Sequence, residues 1–185
     1  MQKREALLHA ALVLFAQRGF HGTPVPDVAE RARVATGTLY RYFEDKEALA
    51  NAVHRRCTEQ LSQALIEGFP SDATVREQLA ELWRRLWRFA VEHPEMLDFL
   101  ELHDHETYLD DYSREVQQRL LQPMVALVTE AQTKHVVKSE PPVVLLAMAW
   151  GAFIGLYKAT RRGLVEMNDG MRQACEEAVW HALRA

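Results

Sequence analysis

Apolar residues recur three and four positions apart along nearly the whole of this chain, and no stretch alternates strictly. That spacing is the strongest limit on what it can fold into. Leu8, Ala11, Leu12 and Phe15 set the pattern, the stripe of an amphipathic helix over about residues 3–18. Gly19 ends this helix as a left-handed C′ residue, with Phe20 placed to touch Phe15. Thr23 is expected to cap a second helix, with Pro24 at its first position and Pro26 still in its first turn. Val25, Val28, Ala29 and Ala32 form its inner stripe. After a break near residues 33–35, a short third helix covers residues 36–42. Asp45 caps a fourth that runs to about Gly68, with Leu49, Val53, Cys57, Leu61 and Leu65 on one face. Five more start near Asp72, Pro94, Tyr108, Pro141 and Asp169, and Pro123 is expected to kink or divide the third of these. The expected fold is all-α, with about nine helices.

The chain of 185 residues is 48% hydrophobic and 26% charged, enough apolar content for a real core. Its formal charge of −4 is unevenly spread. Residues 1–56 carry nine Lys/Arg against six Asp/Glu, and residues 57–185 carry thirteen against twenty. A basic head on an acidic body suits a phosphate-binding part joined to a separate one. No secretory leader is read at the polar amino terminus. The longest apolar run, Val143–Tyr157, is shorter than the roughly 20 residues of a bilayer span and is expected to be a buried helix. Cys57 and Cys175 form no CxxC pair, so reduced thiols and a cytoplasmic location are expected.

The third helix carries the most specific chemistry. Leu39 and Phe43, four apart, are its anchors. At about 100° per residue, Gly37, Thr38 and Arg41 then point away from the core, with Tyr40 and Tyr42 on the flanks. Small, hydroxyl-bearing and basic side chains on one face suit a helix lying in the major groove of DNA. Arg41 can grip a guanine or a phosphate, Thr38 a base or a phosphate, and the tyrosines phosphates. Thr36 belongs to the same face. Lys46 adds a cation nearby, and the helix start at Thr23 adds free N–H groups.

The segments FAQRGFHGT, VAERARV, TGTLYRYF and DKEAL, in this order and spacing, resemble the DNA-binding domain of the TetR family of bacterial transcriptional regulators. The resemblance covers roughly residues 3–50. It implies a helix-turn-helix DNA-binding domain over residues 1–50 and a larger ligand-binding and dimerisation domain over residues 51–185. It also implies a homodimer that binds palindromic operator DNA, no enzymatic activity and no cofactor. Arg33 departs from the family by standing where a turn glycine is usual, and Ala35 stands where a serine often caps the recognition helix. Arg33 must then take an unfavourable turn conformation, and Thr36 is a candidate to take over capping.

The last two helices resemble the family's dimerisation bundle. Met171, Ala174, Cys175, Ala178, Val179, Ala182 and Leu183 form one stripe, and Gly151, Ala152 and Gly155 permit close helix approach. Trp83, Trp87, Met96, Phe99, His103, Tyr108 and Trp150 are the candidate ligand-binding residues; with Phe89 they supply large side chains that suit an apolar or aromatic effector, whose binding would release a repressor from DNA. The segment ELHDHE, residues 101–106, carries metal-ligand types. Read as helix, it points His103 and His105 away from each other; Glu101 with His105 is the better-placed pair, and no metal site is assigned. The alternative function is an all-α metal-dependent hydrolase using His103 and Asp104, whose further ligands cannot be placed. A third is a helical adaptor without affinity for DNA.

Overall fold

The computed structural model of the protein describes residues 2–185; Met1, within the expected first domain, lies outside them. Among the described residues there are nine helices: α1 Gln2–Arg18, α2 Val25–Arg31, α3 Thr36–Leu39, α4 Lys46–Ile66, α5 Val75–Glu92, α6 Pro94–Leu102, α7 Asp111–Thr133, α8 Pro142–Arg161 and α9 Asp169–Leu183. One isolated bridge joins Val137 to Arg184, and no strand forms among these residues.

Local signals explain most helix ends. Gly19 adopts φ 71°, its N–H donates to the Phe15 carbonyl at 2.9 Å, and the Phe15 and Phe20 ring centroids lie 6.0 Å apart. A Cβ at Gly19 would also come within 3.3 Å of the His103 ring, so both conformation and space call for glycine there. The Asp45 carboxylate accepts the Ala48 N–H at 2.7 Å and caps α4 as expected.

Other boundaries differ from the expectation. Thr23 does not cap α2: Pro24 is the N-cap residue and no side chain bonds there. The Thr23 hydroxyl instead donates back to the carbonyls of Gly19 at 2.9 Å and Leu14 at 3.2 Å, tying the turn to the end of α1. The fifth helix begins at Val75 rather than near Asp72, because Thr74 and Glu77 form a reciprocal capping box. The Thr74 N–H donates to the Glu77 carboxylate at 2.9 Å, and the Glu77 N–H to the Thr74 hydroxyl at 3.3 Å. Of the two outcomes expected at Pro123, a kink or a division, the division does not occur: α7 runs through it.

The described chain falls into two units, residues 2–63 with Val91–Gln118, and Ala64–Ala90 with Arg119–Ala185. In the first, α1 packs on α2 and α6. Leu7, Ala11, Phe15, Val28, Leu39, Leu49 and Leu97 are fully or almost fully buried, and Phe15 stacks on Phe99 with centroids 6.1 Å apart. In the second, Phe153 stands edge-on to Trp83 and Trp87. Arg85 is buried there and donates to the carbonyls of Leu65, Glu67 and Gly68 at 3.0, 2.7 and 3.0 Å. It satisfies the orphan acceptors at the end of α4 while pairing with Glu81.

The apolar run in α8 is not the buried helix expected. Only Leu145, Phe153, Ile154 and Tyr157 are buried, and by length and composition alone the helix could cross a bilayer. Its outer face bears Met148, Gly151, Ala152 and Gly155, which with Cys175, Ala178 and Ala182 of α9 line an open apolar groove.

Candidate DNA-binding surface

The third helix is shorter than its sequence suggests. Four residues form α3, after which Arg41 and Tyr42 continue as a tight turn through N–H bonds to the carbonyls of Thr38 and Leu39. Leu39 has no exposed surface and Phe43 has 5%, so both serve as the anchors expected of them. Gly37 is exposed, and a Cβ on it would meet open space. Tyr40 and Tyr42 are exposed by 52% and 42%, and Arg41 is exposed beside them. Thr36 and Thr38 are half-buried. Aromatic rings left this open on a surface are characteristic of contact sites.

Two other residues assigned to this surface need separate treatment. Thr23 is wholly buried and its N–H donates to the Phe20 carbonyl at 3.3 Å, so it offers a phosphate no free N–H. Lys46 is half-buried, with its ammonium 4.4 Å from the centroid of the Phe20 ring, and burial lowers its pKa.

Arg33 and Ala35, the two departures from the family pattern, sit side by side in the turn between α2 and α3. Arg33 adopts φ 56°. Its N–H donates to the Glu30 carbonyl at 2.9 Å and that of Val34 to the Ala29 carbonyl at 3.0 Å, the paired bonds of a Schellman turn whose left-handed position favours glycine. An arginine there costs about 1 kcal/mol or more. Ala35 is the N-cap of α3 and offers no side-chain acceptor; the Thr36 hydroxyl makes no cap bond either.

Behind this surface, in the same unit, lies a buried polar cluster that sequence reasoning did not assemble. The helix reading of residues 101–106 does not hold, because α6 stops at Leu102 and His103 is extended. His103 pairs through Nε2 with the Ala16 carbonyl at 2.9 Å, and Asp104 accepts the Glu106 N–H at 3.0 Å. His105 donates from Nε2 to the Phe99 carbonyl at 2.8 Å, leaving Nδ1 to accept from the Tyr108 hydroxyl. Tyr108 stacks on Phe20 with centroids 4.3 Å apart, its hydroxyl pKa raised by burial. The Asn51 amide donates to the Tyr108 carbonyl at 2.7 Å and accepts the Asp110 N–H at 2.9 Å. Arg55 reaches Asp110 at 3.0 Å and Ser113 at 2.9 Å.

The His54 ring lies 5.1 Å from that of His105, and its Nδ1 is buried without a partner. Burial, then the neighbouring His105 and Arg55, lower its pKa to about 4, against a smaller opposing pull from Asp110. The folded state therefore binds fewer protons than the unfolded one between about pH 6.5 and 4. Stability is fully present above the unfolded pKa and drains away as pH falls through that window. Urea melts are expected to lose on the order of 2–3 kcal/mol from this group between pH 7 and pH 4. His54→Gln is expected to flatten that slope, and an unchanged slope would refute the assignment.

The seven ligand-binding candidates are divided between the two units. Met96, Phe99, His103 and Tyr108 belong to the first unit, and Trp83, Trp87 and Trp150 to the second. All but His103 and Trp150 are buried. The second unit has an apolar cavity of about 80 Å³ lined by residues including Leu79, Leu82, Met124, Leu127, Val128, Leu145 and Trp180, and none of the seven borders it. Its sequence signal is the i, i+3, i+4, i+7 set Met124, Leu127, Val128 and Ala131 on α7, which reads as plain core. No group of three or more potential metal ligands forms among the described residues.

Comparison with known proteins bears on both parts of the chain. The family model described as "Bacterial regulatory proteins, tetR family" matches residues 7–53. The one described as "Tetracyclin repressor-like, C-terminal domain" matches residues 54–185. Similar curated proteins include an uncharacterised helix-turn-helix transcriptional regulator of Haemophilus influenzae, 28% identical over 54% of each chain. The transcriptional regulator RutR of Escherichia coli is 40% identical over 42% of this chain and 38% of its own. The matches thus span about half or less of these relatives. A TetR-family transcription regulator from Marinobacter aquaeolei superposes with a TM-score of 0.89 at 25% identity, over 99% of this chain and 96% of that one. A TetR-family protein from Vibrio parahaemolyticus does so at 0.83 and 26%, over 99% of each chain. Nothing among these relatives supports a hydrolase, and His103 and Asp104 are both held in structural hydrogen bonds. A helix-turn-helix head, an all-α body and family models matching each part lead to one conclusion: the chain belongs to the TetR family of bacterial transcriptional regulators.

Proposed function

We propose that this regulator is a repressor that binds a palindromic operator as a homodimer and leaves it when an apolar or aromatic small molecule binds. The observation that carries this reading is the exposed face of α3 and its following turn, where Gly37, Tyr40, Arg41 and Tyr42 stand open over the buried anchors Leu39 and Phe43. Thr36, Thr38 and Lys46 complete the reading surface. Residues 1–50 bind DNA and residues 51–185 bind effector and partner. The protein works in the cytoplasm without catalysis or cofactor.

The dimer forms through α8 and α9. Their open groove of glycines and alanines lets two helix pairs approach closely, and a second copy covers apolar surface that the monomer leaves in water. A palindromic operator has half-sites one DNA turn apart, ~34 Å, and so calls for two heads. The apolar cavity of the second unit gives an effector surface to fill. An effector can release DNA only through its differential affinity for the two states; tilting of α4 is the movement we assign.

Selection of fragments bound from the source genome, with and without apolar candidate ligands, tests the reading. Recovery of a two-fold symmetric site that such a ligand releases is the expected result. Absence of any salt-dependent duplex binding would overturn it in favour of an adaptor.

A further inference from the structure

We propose that Arg33 is a phosphate-binding residue of the head, kept in a strained turn for its charge. This rests on the DNA-binding reading above. The strain is visible within the chain itself. Among the described residues, left-handed backbone occurs at Gly19, Gly68 and Gly163, where glycine adopts it freely, and at only two other residues, His135 and Arg33. Histidine is one of the residue types enriched in that region; arginine is not. A glycine at position 33 would keep both hydrogen bonds of the turn, since these come from the backbone of residues 33 and 34. The fold therefore has no use for the arginine side chain in making this turn.

Nor does the side chain stabilise the head in another way. Arg33 is exposed, and among the described residues its guanidinium has no carboxylate or aromatic partner. Arg18, by contrast, pairs with Asp27 at 2.9 Å. The turn leads directly into the exposed surface of Thr36 to Tyr42. A permanently charged, weakly hydrated fork at that place fits a phosphate of the bound duplex. A phosphate contact positions the protein without reading sequence, so its contribution is the same on every duplex.

The test needs no operator. Wild type, Arg33→Gly and Arg33→Lys are titrated against a fluorescent mixed-sequence duplex between 50 and 200 mM salt, and their melting temperatures are compared. Arg33→Gly is expected to bind roughly tenfold more weakly at the low-salt end, with a log–log salt slope smaller by roughly 2, about one for each head of the dimer. It should nevertheless melt roughly 2–4 °C higher, because glycine relieves the turn. Arg33→Lys should keep the wild-type slope. A wild-type slope in Arg33→Gly overturns the assignment, as does a slope in Arg33→Lys reduced as far as in the glycine variant. Loss of salt-dependent binding by the wild type itself would instead remove the DNA-binding reading on which the assignment stands.

Discussion

Arg41→Ala is expected to abolish specific operator binding while leaving the dimer and its melting temperature unchanged. An arginine bidentate to guanine contributes about 1–3 kcal/mol of discrimination, and a two-fold symmetric complex loses that contact twice. The combined loss is then on the order of 100-fold or more in affinity. Arg41 is exposed on the turn that follows α3, so its removal leaves no cavity and no orphaned partner. Arg41→Lys should not rescue it, because a point charge cannot reproduce the planar fork. Tyr42→Ala is expected to weaken every duplex, specific or not, since its hydroxyl is assigned to a phosphate. The measurement is fluorescence anisotropy on the selected operator and on a scrambled duplex of equal length. An Arg41→Ala variant that still prefers the operator would remove Arg41 from the reading surface.

The second large effect concerns assembly. Gly155→Trp is expected to turn the dimer into a folded monomer, and Gly151→Leu to weaken it strongly. A Cβ added at either position meets nothing within 4 Å in the single chain, so a larger side chain is tolerated by the subunit itself. Against a second copy lying in the α8–α9 groove, the indole would hold the helices several ångströms apart and forfeit the close packing. Sedimentation velocity reads the mass, and far-ultraviolet circular dichroism reads the helix content. Operator affinity should fall with the dimer, because one head alone meets one half-site. A Gly155→Trp protein that remains dimeric would move the interface away from this groove.

Much of the architecture was written locally. The stripe from Leu8 to Phe15, the glycine at position 19, the aspartate at 45 and the anchors Leu39 and Phe43 each act within one or two turns, and each does what its spacing implies. So do the exposed Gly37, Tyr40, Arg41 and Tyr42, because burying Leu39 and Phe43 fixes the other face of the same short segment. The helix-turn-helix order added specificity that no single helix carries, and the strain expected at Arg33 is present.

The failures share one cause, a partner distant in sequence or a competing acceptor. Thr23 had two uses for its hydroxyl, and the carbonyls of Gly19 and Leu14 took it. The apolar cavity of the second unit is lined by residues that read as plain core, because a large apolar side chain looks the same whether it lines a cavity or fills a core. The cluster of His54, His105, Tyr108, Asn51 and Arg55 joins α4 to residues more than fifty positions later, and periodicity says nothing about such pairings.

The sequence alone therefore determined the helices, several of their ends and the side chains left open around α3, since hydrogen bonds and side-chain contacts within a few residues decide those. Only the tertiary structure decided how the chain divides into units, where the apolar cavity lies and how much of α8 stays uncovered. Each of these depends on which helices meet, and that is settled by packing summed over distant side chains rather than by any residue's near neighbours.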